Sequence, residues 1–282
     1  NSWLEPLWRR QYVEMIQITM AEPFGVEDRG SFYDHVGTLR DVVQNHLLQV
    51  LALVLMEPPG AGADPVGNRR LDVFQSIRPL TADDVVRGQY EGYRDIDGVA
   101  PDSETETFVA ARFHCDTWRW AGVPIMIRAG KKLPVKATEV VVRFRKAPQF
   151  NWGENLQRVT GHDDFLIRIG DPSGIAFGLR VKKPGVDEVE PQMLSLDFPS
   201  TLGDLPSPYE RLLHDAMTGD HTLFPRWPAV EATWNIVQSV LDAMPPVLPY
   251  AADTWGPLEA QRMAKHWGGW RDPIELAHGT SG

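Results

Sequence analysis

In IAFGLRV, residues 175–181, Ile175, Phe177, Leu179 and Val181 alternate with Ala176, Gly178 and Arg180. A period of two marks a strand with one face on a core and the other toward water. Four more stretches share this short, β-branched or aromatic character: ETFVAARFH (106–114), VPIMIR (123–128), EVVVRFR (139–145) and FLIRI (165–169). Helical patterns flank the block. Residues 38–57 and a short segment around Leu71–Ile77 precede it; YERLLHDAM (209–217), VEATWNIVQSVLDAM (230–244) and a segment from Leu258 follow it. Grouped strands with helices at both ends imply an α+β chain, with helices packed against a large, mainly antiparallel sheet. No G-x-G-x-x-G follows a strand, so no Rossmann unit is expected in this chain.

The totals narrow the function. A net charge of −10 argues against a nucleic-acid partner, which calls for a basic patch or stripe. One cysteine, Cys115, excludes an internal disulfide framework and fits a reducing, cytoplasmic setting. No apolar run approaches the roughly 18–20 residues that span a bilayer, so no membrane partner is expected. No cluster suggests a metal site.

The stretch RDVVQNHLLQVLALVLMEPP, residues 40–59, joins two characters. Nine of the ten residues from Leu47 to Met56 are apolar, yet the helix head carries Arg40, Asp41, Gln44, Asn45 and His46. Polar groups at the head of a buried helix need partners. Thr38 and Asp41 resemble a weak capping box, and Pro58-Pro59 ends the helix. On an ideal α-helix His46 lies about 140° around from Asp41, a loose neighbour. His46 is either a core histidine bonded to a carbonyl or a general base, since imidazole exchanges protons near neutral pH.

Two other stretches carry candidates. In IRAGKKLPVK (127–136), the glycine between a strand and two lysines lets the backbone turn close to a ligand. Lys131 and Lys136 are compact cations suited to sugar hydroxyls or phosphate; the alternative is a solvated basic turn. In AEPFG (21–25), Glu22 stands at a strand end before Pro23.

Together these stretches resemble the glucose-6-phosphate dehydrogenase family. The resemblance runs from AEPFGVEDRGSFYDHVGTLRDVVQNHLLQ through VVRGQY (85–90), DSETETFVA (102–110), WRWAGVPIMIRAGKKLP (118–134), VKKPG (181–185) and YERLLHDAMTGDHTLF (209–224) to TWGP (254–257). It covers nearly the whole chain in order, so residues 1–282 are expected to form a single C-terminal domain for substrate binding and dimerisation.

The resemblance implies oxidation of glucose 6-phosphate at its anomeric carbon, with hydride passing to NADP in the pentose phosphate pathway. His46 matches the family's general base. Glu22 and Asp41 match positions that bind sugar hydroxyls, and Lys131 and Lys136 match substrate-binding lysines. NADP in this family is bound mainly by an N-terminal Rossmann domain, and an RIDHYLGK-type segment serves the substrate phosphate. Neither is in these 282 residues, so no cofactor-binding residues are expected here and the isolated chain is expected to be inactive. Ala176 stands where animal members carry a tyrosine, so a second, structural NADP is not expected. A homodimer through the sheet domain is implied. The alternative is a stand-alone, non-catalytic sugar-phosphate-binding or interaction module, and a cofactor-independent enzyme using His46 is a third reading.

Overall fold

The computed structural model describes residues 1–62, 64–146, 162–170, 172–186, 189–203 and 207–273. Among them lies one nine-stranded sheet in the order β8-β7-β6-β5-β1-β4-β3-β2-β9. The strands are β1 (Val13–Ala21), β2 (Val85–Tyr90), β3 (Phe108–Phe113), β4 (Ile125–Gly130), β5 (Ala137–Phe144), β6 (Asp164–Ile169), β7 (Gly174–Lys182), β8 (Val189–Asp197) and β9 (Val247–Tyr250). Only β1–β4 and β2–β9 pair in parallel; the other pairs are antiparallel. The expected α+β class and mainly antiparallel sheet hold.

Strand alternation divides the sheet into two unlike faces. Ile16 and Ile18, Val109 and Ala111, Ile125 and Ile127, and Val140 and Val142 point into the main core. Helices cover that face: α2 (Leu48–Leu55), α3 (Pro65–Ser76) and α6 (Trp227–Asp242). Removing these apolar side chains from water supplies the dominant favourable term in folding. The opposite face carries buried polar groups. Arg168 is paired with Glu139 across β6 and β5, and Arg143 with Asp164, each directly opposite in register. Arg128, wholly buried, donates to Thr19 and Asp272 and lies between the Trp255 and Trp270 rings, 4.3 and 4.7 Å from their centroids. The C-terminal segment through Asp272 is thereby strapped to the sheet.

The helix expected over 38–57 begins earlier and is not uniform. Helix α1 spans Gly30–Thr38, with Gly37 at φ 72° and ψ 168°, outside helical space. A π-helical segment, Leu39–Leu47, follows and runs into α2. Thr38 is itself helical and is not a cap: the amide of Leu39 donates instead to the Glu106 carboxylate at 3.0 Å. A local pattern gave no view of this cap, because it comes from the other side of the fold. At the far end, the indoles of Trp8 and Trp120 donate to the carbonyls of Val54 and Leu55, both at 2.8 Å, which satisfies two orphan acceptors of the last turn. Helix α3 also starts earlier than expected, at Pro65, because Asp64 accepts from the Gly67 amide as an N-cap. Two further helices are α4 (Phe198–Leu202) and α5 (Pro208–Thr218), and α7 spans Leu258–Met263.

Candidate active site

The parallel pairing of β1 and β4 builds the site. Ala21 and Gly130 are opposite in register, so both strands leave the sheet side by side. The Glu22 amide donates to the Gly130 carbonyl, Lys132 to Phe24 and Leu133 to Glu22, which zips AEPFG to GKKLP beyond the last ladder residues. Lys131 Nζ donates to Glu22 Oε2 at 2.8 Å. Its ammonium also lies 5.3 Å from the Phe24 ring and 5.1 Å from the Tyr33 ring, within cation–π range. Lys131 is 3% exposed, so it is not a solvated turn lysine. A cation so buried is tolerable only with such partners.

The glycine reading needs correction. A Cβ on Gly130 would lie 2.6 Å from the Phe108 ring, so the glycine accommodates that aromatic, not a ligand. The backbone turn falls on Lys132, at φ 53°. Lys136 precedes β5, which pairs antiparallel with β1 and sets Ala137 opposite Ala21. Continuing that register puts Lys136 across from Glu22, so Glu22 stands between Lys131, just past the end of β4, and Lys136, just before β5. Lys136 is exposed and has no side-chain partner among the described residues.

Tyr33 links these strand ends to the helix head. Its ring faces Lys131 and its hydroxyl meets Thr38 Oγ1 at 2.7 Å. Burial holds its phenol well above the ordinary value. The Thr38 hydrogen bond opposes that shift, and the nearby charges of Glu106 and Asp41 reinforce it. Asp41 is thus close enough to act on Tyr33, and it is half-buried, while Asn45 and His46 are exposed. The side chain of His46 makes no hydrogen bond or ion pair among the described residues, so it is not the carbonyl-tied core histidine. Gln44 belongs to the core instead, donating to Thr233 of α6 at 2.9 Å.

The π-helix changes the relation between Asp41 and His46. Its hydrogen bonds close from i to i−5, as when Leu48 donates to Val43. Residues five apart therefore follow one another one turn along, and Asp41 and His46 share a face that an α-helix would not give them. Sequence reading missed Phe24, Tyr33 and Glu106; the last sits in the quoted stretch DSETETFVA, an acid beside apolar strand residues. Among the described residues no group of three or more His, Cys, Asp or Glu could hold a metal ion, and no helix is long and apolar enough to cross a membrane. Burial pushes the Cys115 thiol up, which keeps it protonated and unreactive.

Comparison with known proteins gives one consistent pattern. The family described as "Glucose-6-phosphate dehydrogenase, C-terminal domain" matches residues 1–271. Glucose-6-phosphate 1-dehydrogenase 1 of Mycobacterium tuberculosis is 47% identical over 281 residues, covering 99% of this chain and 59% of that protein. The crystal structure of glucose-6-phosphate 1-dehydrogenase from Mycobacterium avium superposes with a TM-score of 0.89 at 46% identity, over 98% of this chain and 60% of that one. A glucose-6-phosphate dehydrogenase in complex with its substrate glucose-6-phosphate gives 0.83 at 30% identity, over 97% and 59%. The chain spans about three fifths of the length of the relatives it matches.

Proposed function

The chain belongs to the glucose-6-phosphate dehydrogenase family, whose C-terminal domain it matches, and from that premise we propose that it is the sugar-binding part of an oxidoreductase acting on glucose 6-phosphate. The observation that carries the reading is the convergence of Glu22, Lys131 and Lys136 at one strand end, bridged by Tyr33 to the helix bearing Asp41 and His46.

The chemistry suits these residues. Oxidation at C1 breaks the C1–H bond, with its electron pair leaving as hydride, while the C1 hydroxyl loses its proton as the lactone carbonyl forms. His46, exposed and unpartnered, takes that proton; without its removal the product would be a protonated carbonyl. Asp41, one π-turn before His46, and Glu22 accept hydrogen bonds from sugar hydroxyls and orient C1 toward the imidazole. Lys131 and Lys136 counter the negative charge of the substrate phosphate. A nicotinamide group, when bound, supplies the hydride acceptor. This chain carries no G-x-G-x-x-G unit to hold a dinucleotide, so we assign NADP to a part of the parent enzyme outside these residues and route no step through it here.

The same reading includes a homodimer in the cytoplasm. Edge strand β8 exposes Leu194 and Leu196 on the same sheet face as the exposed Leu179 and Val181 of the neighbouring β7. A contiguous apolar surface of this kind marks an interaction face, and a second copy is the occupant the family relationship favours.

The test is an NMR titration of this chain with glucose 6-phosphate. Saturable shifts at Glu22, Asp41, His46 and Lys131 are expected at millimolar sugar phosphate, with no reduction of NADP. No shift at these residues would sink the reading of the site, and NADP reduction by the pure chain would overturn its assignment as one part of the catalyst.

A further inference from the structure

Glu106 is a carboxylate with no water to face. It is 1% exposed, and its Oε2 accepts from Arg87 Nε at 3.0 Å and Nη2 at 2.8 Å. Arg87, 3% exposed, also donates to the carbonyls of Glu104 and Pro245 at 2.6 and 2.7 Å. Stability alone is a poor reason for such a pair, because well-packed apolar residues in its place are often as stable. Its other oxygen does what an apolar residue cannot. Oε1 accepts the Leu39 amide at 3.0 Å, the first amide of the π-helical segment. The Glu106 carbonyl takes the preceding donors as well, Thr38 N at 3.0 Å and Thr38 Oγ1 at 3.2 Å. A single residue just ahead of β3 thus holds two consecutive amides of the helix entry, and a negative charge there also suits the positive end of the helix.

The entry geometry is built around this contact. The extended step at Gly37 is open to glycine alone, and a Cβ there would sit 2.6 Å from Glu106 Oε1. Beyond the anchored amides the chain winds with i to i−5 bonds, and Asp41 and His46 lie one π-turn apart.

We propose that Glu106, held in place by Arg87, is a positioning residue for His46 and Asp41. It pins the Leu39 amide to the sheet and so fixes the π-helical turn that puts those two side chains on one face. The inference deepens the proposed function and rests on it for the roles of His46 and Asp41.

Two double variants of this chain separate positioning from simple bracing. R87L/E106A removes the buried charges and the acceptor together; R87L/E106Q removes the same charges but returns a carbonyl oxygen to the Leu39 amide. Both variants are expected to stay folded, with R87L/E106A melting at the lower temperature because its buried Leu39 amide has no acceptor. Amide hydrogen exchange across Leu39–Leu48 is expected to be about tenfold faster in R87L/E106A than in R87L/E106Q, with the rest of the core alike. The His46 ring signal is expected to respond to glucose 6-phosphate in the wild type and in R87L/E106Q, and to lose that response in R87L/E106A. Equal exchange and equal response in the two variants would overturn the proposal, as would a loss of protection spread evenly over the core. A wild-type His46 signal indifferent to glucose 6-phosphate defeats the sugar-phosphate reading instead. The exchange contrast then still decides the anchor: a difference confined to Leu39–Leu48 upholds it, and no difference overturns it.

Discussion

The position a Cβ would occupy on Gly37 lies 2.6 Å from Oε1 of Glu106, with Gly37 at φ 72°. The carboxylate has little room to withdraw, because Arg87 holds its other oxygen. Gly37→Ala is therefore expected to lower stability by about 1–3 kcal/mol from backbone strain, with the clash added. Chemical denaturation measures it. Adding Glu106→Ala should recover the clash component, leaving a non-additive cycle; strict additivity would mean the carboxylate moves aside freely.

Lys131 is fixed by Glu22 and by two rings, an arrangement made for a compact ammonium. Lys131→Met should weaken glucose 6-phosphate binding at least about tenfold, a loss of roughly 1.4 kcal/mol. Lys131→Arg should not rescue it, since a planar guanidinium does not fit between Phe24 and Tyr33 as an ammonium does. Calorimetric titration with glucose 6-phosphate reads both, and full affinity in the arginine variant would rule out the fit argument.

Acid should unfold the protein partly through Asp34. Burial works to raise its carboxyl, but hydrogen bonds from Ser103, the Ala100 amide and Tyr93 outweigh it and hold the group below its ordinary value. A carboxyl lowered on folding adds stability above the unfolded-state value of about 3.9, and loses it as pH falls through the folded value. Below about pH 4 the wild type should lose stability more steeply than Asp34→Asn. Denaturation midpoints across that range decide it; parallel curves would remove Asp34 from the explanation.

Arg128 is stacked between Trp255 and Trp270 and bonded to Asp272. Arg128→Met should cost on the order of 2–4 kcal/mol, through lost stacking and lost charge-assisted bonds. Tryptophan emission should shift to the red as the C-terminal strap loosens. Unchanged emission with unchanged stability would show that the segment holds without its central contact.

Leu194→Lys on the exposed face of β8 should turn a dimer into a monomer in light scattering, leaving the thermal midpoint of the monomer intact. A wild-type chain monomeric at micromolar concentration would contradict the dimer directly.

Strands with one dry face announced themselves. β7 alternates apolar and small or polar residues, β5 and β6 show as short β-branched and aromatic runs, and the bounds of all three agree with the sequence reading within two residues. β1 went unnamed because both of its faces are covered, so VEMIQITMA shows no useful alternation of exposure. β8 was hidden by Pro191, which an edge strand tolerates. The site was legible only as types in a family pattern. Glu22 and Lys131 meet through a parallel pairing that no local pattern encodes, and Glu106 caps a helix 67 residues away in sequence. The π-winding that aligns Asp41 with His46 is likewise a product of packing and of that distant cap.

The parallel partnership of β1 with β4 also sets a timetable. Glu22 and Lys131 are 109 residues apart, and the ribosome adds residues at about 5–20 per second, so β1 emerges on the order of ten seconds before the strand that completes its site. Closing so long a loop is entropically late as well as chemically late. Until then a strand that is almost wholly buried in the finished sheet waits with two open edges, and the interval in which this chain most needs protection from its neighbours is written into the order of its strands.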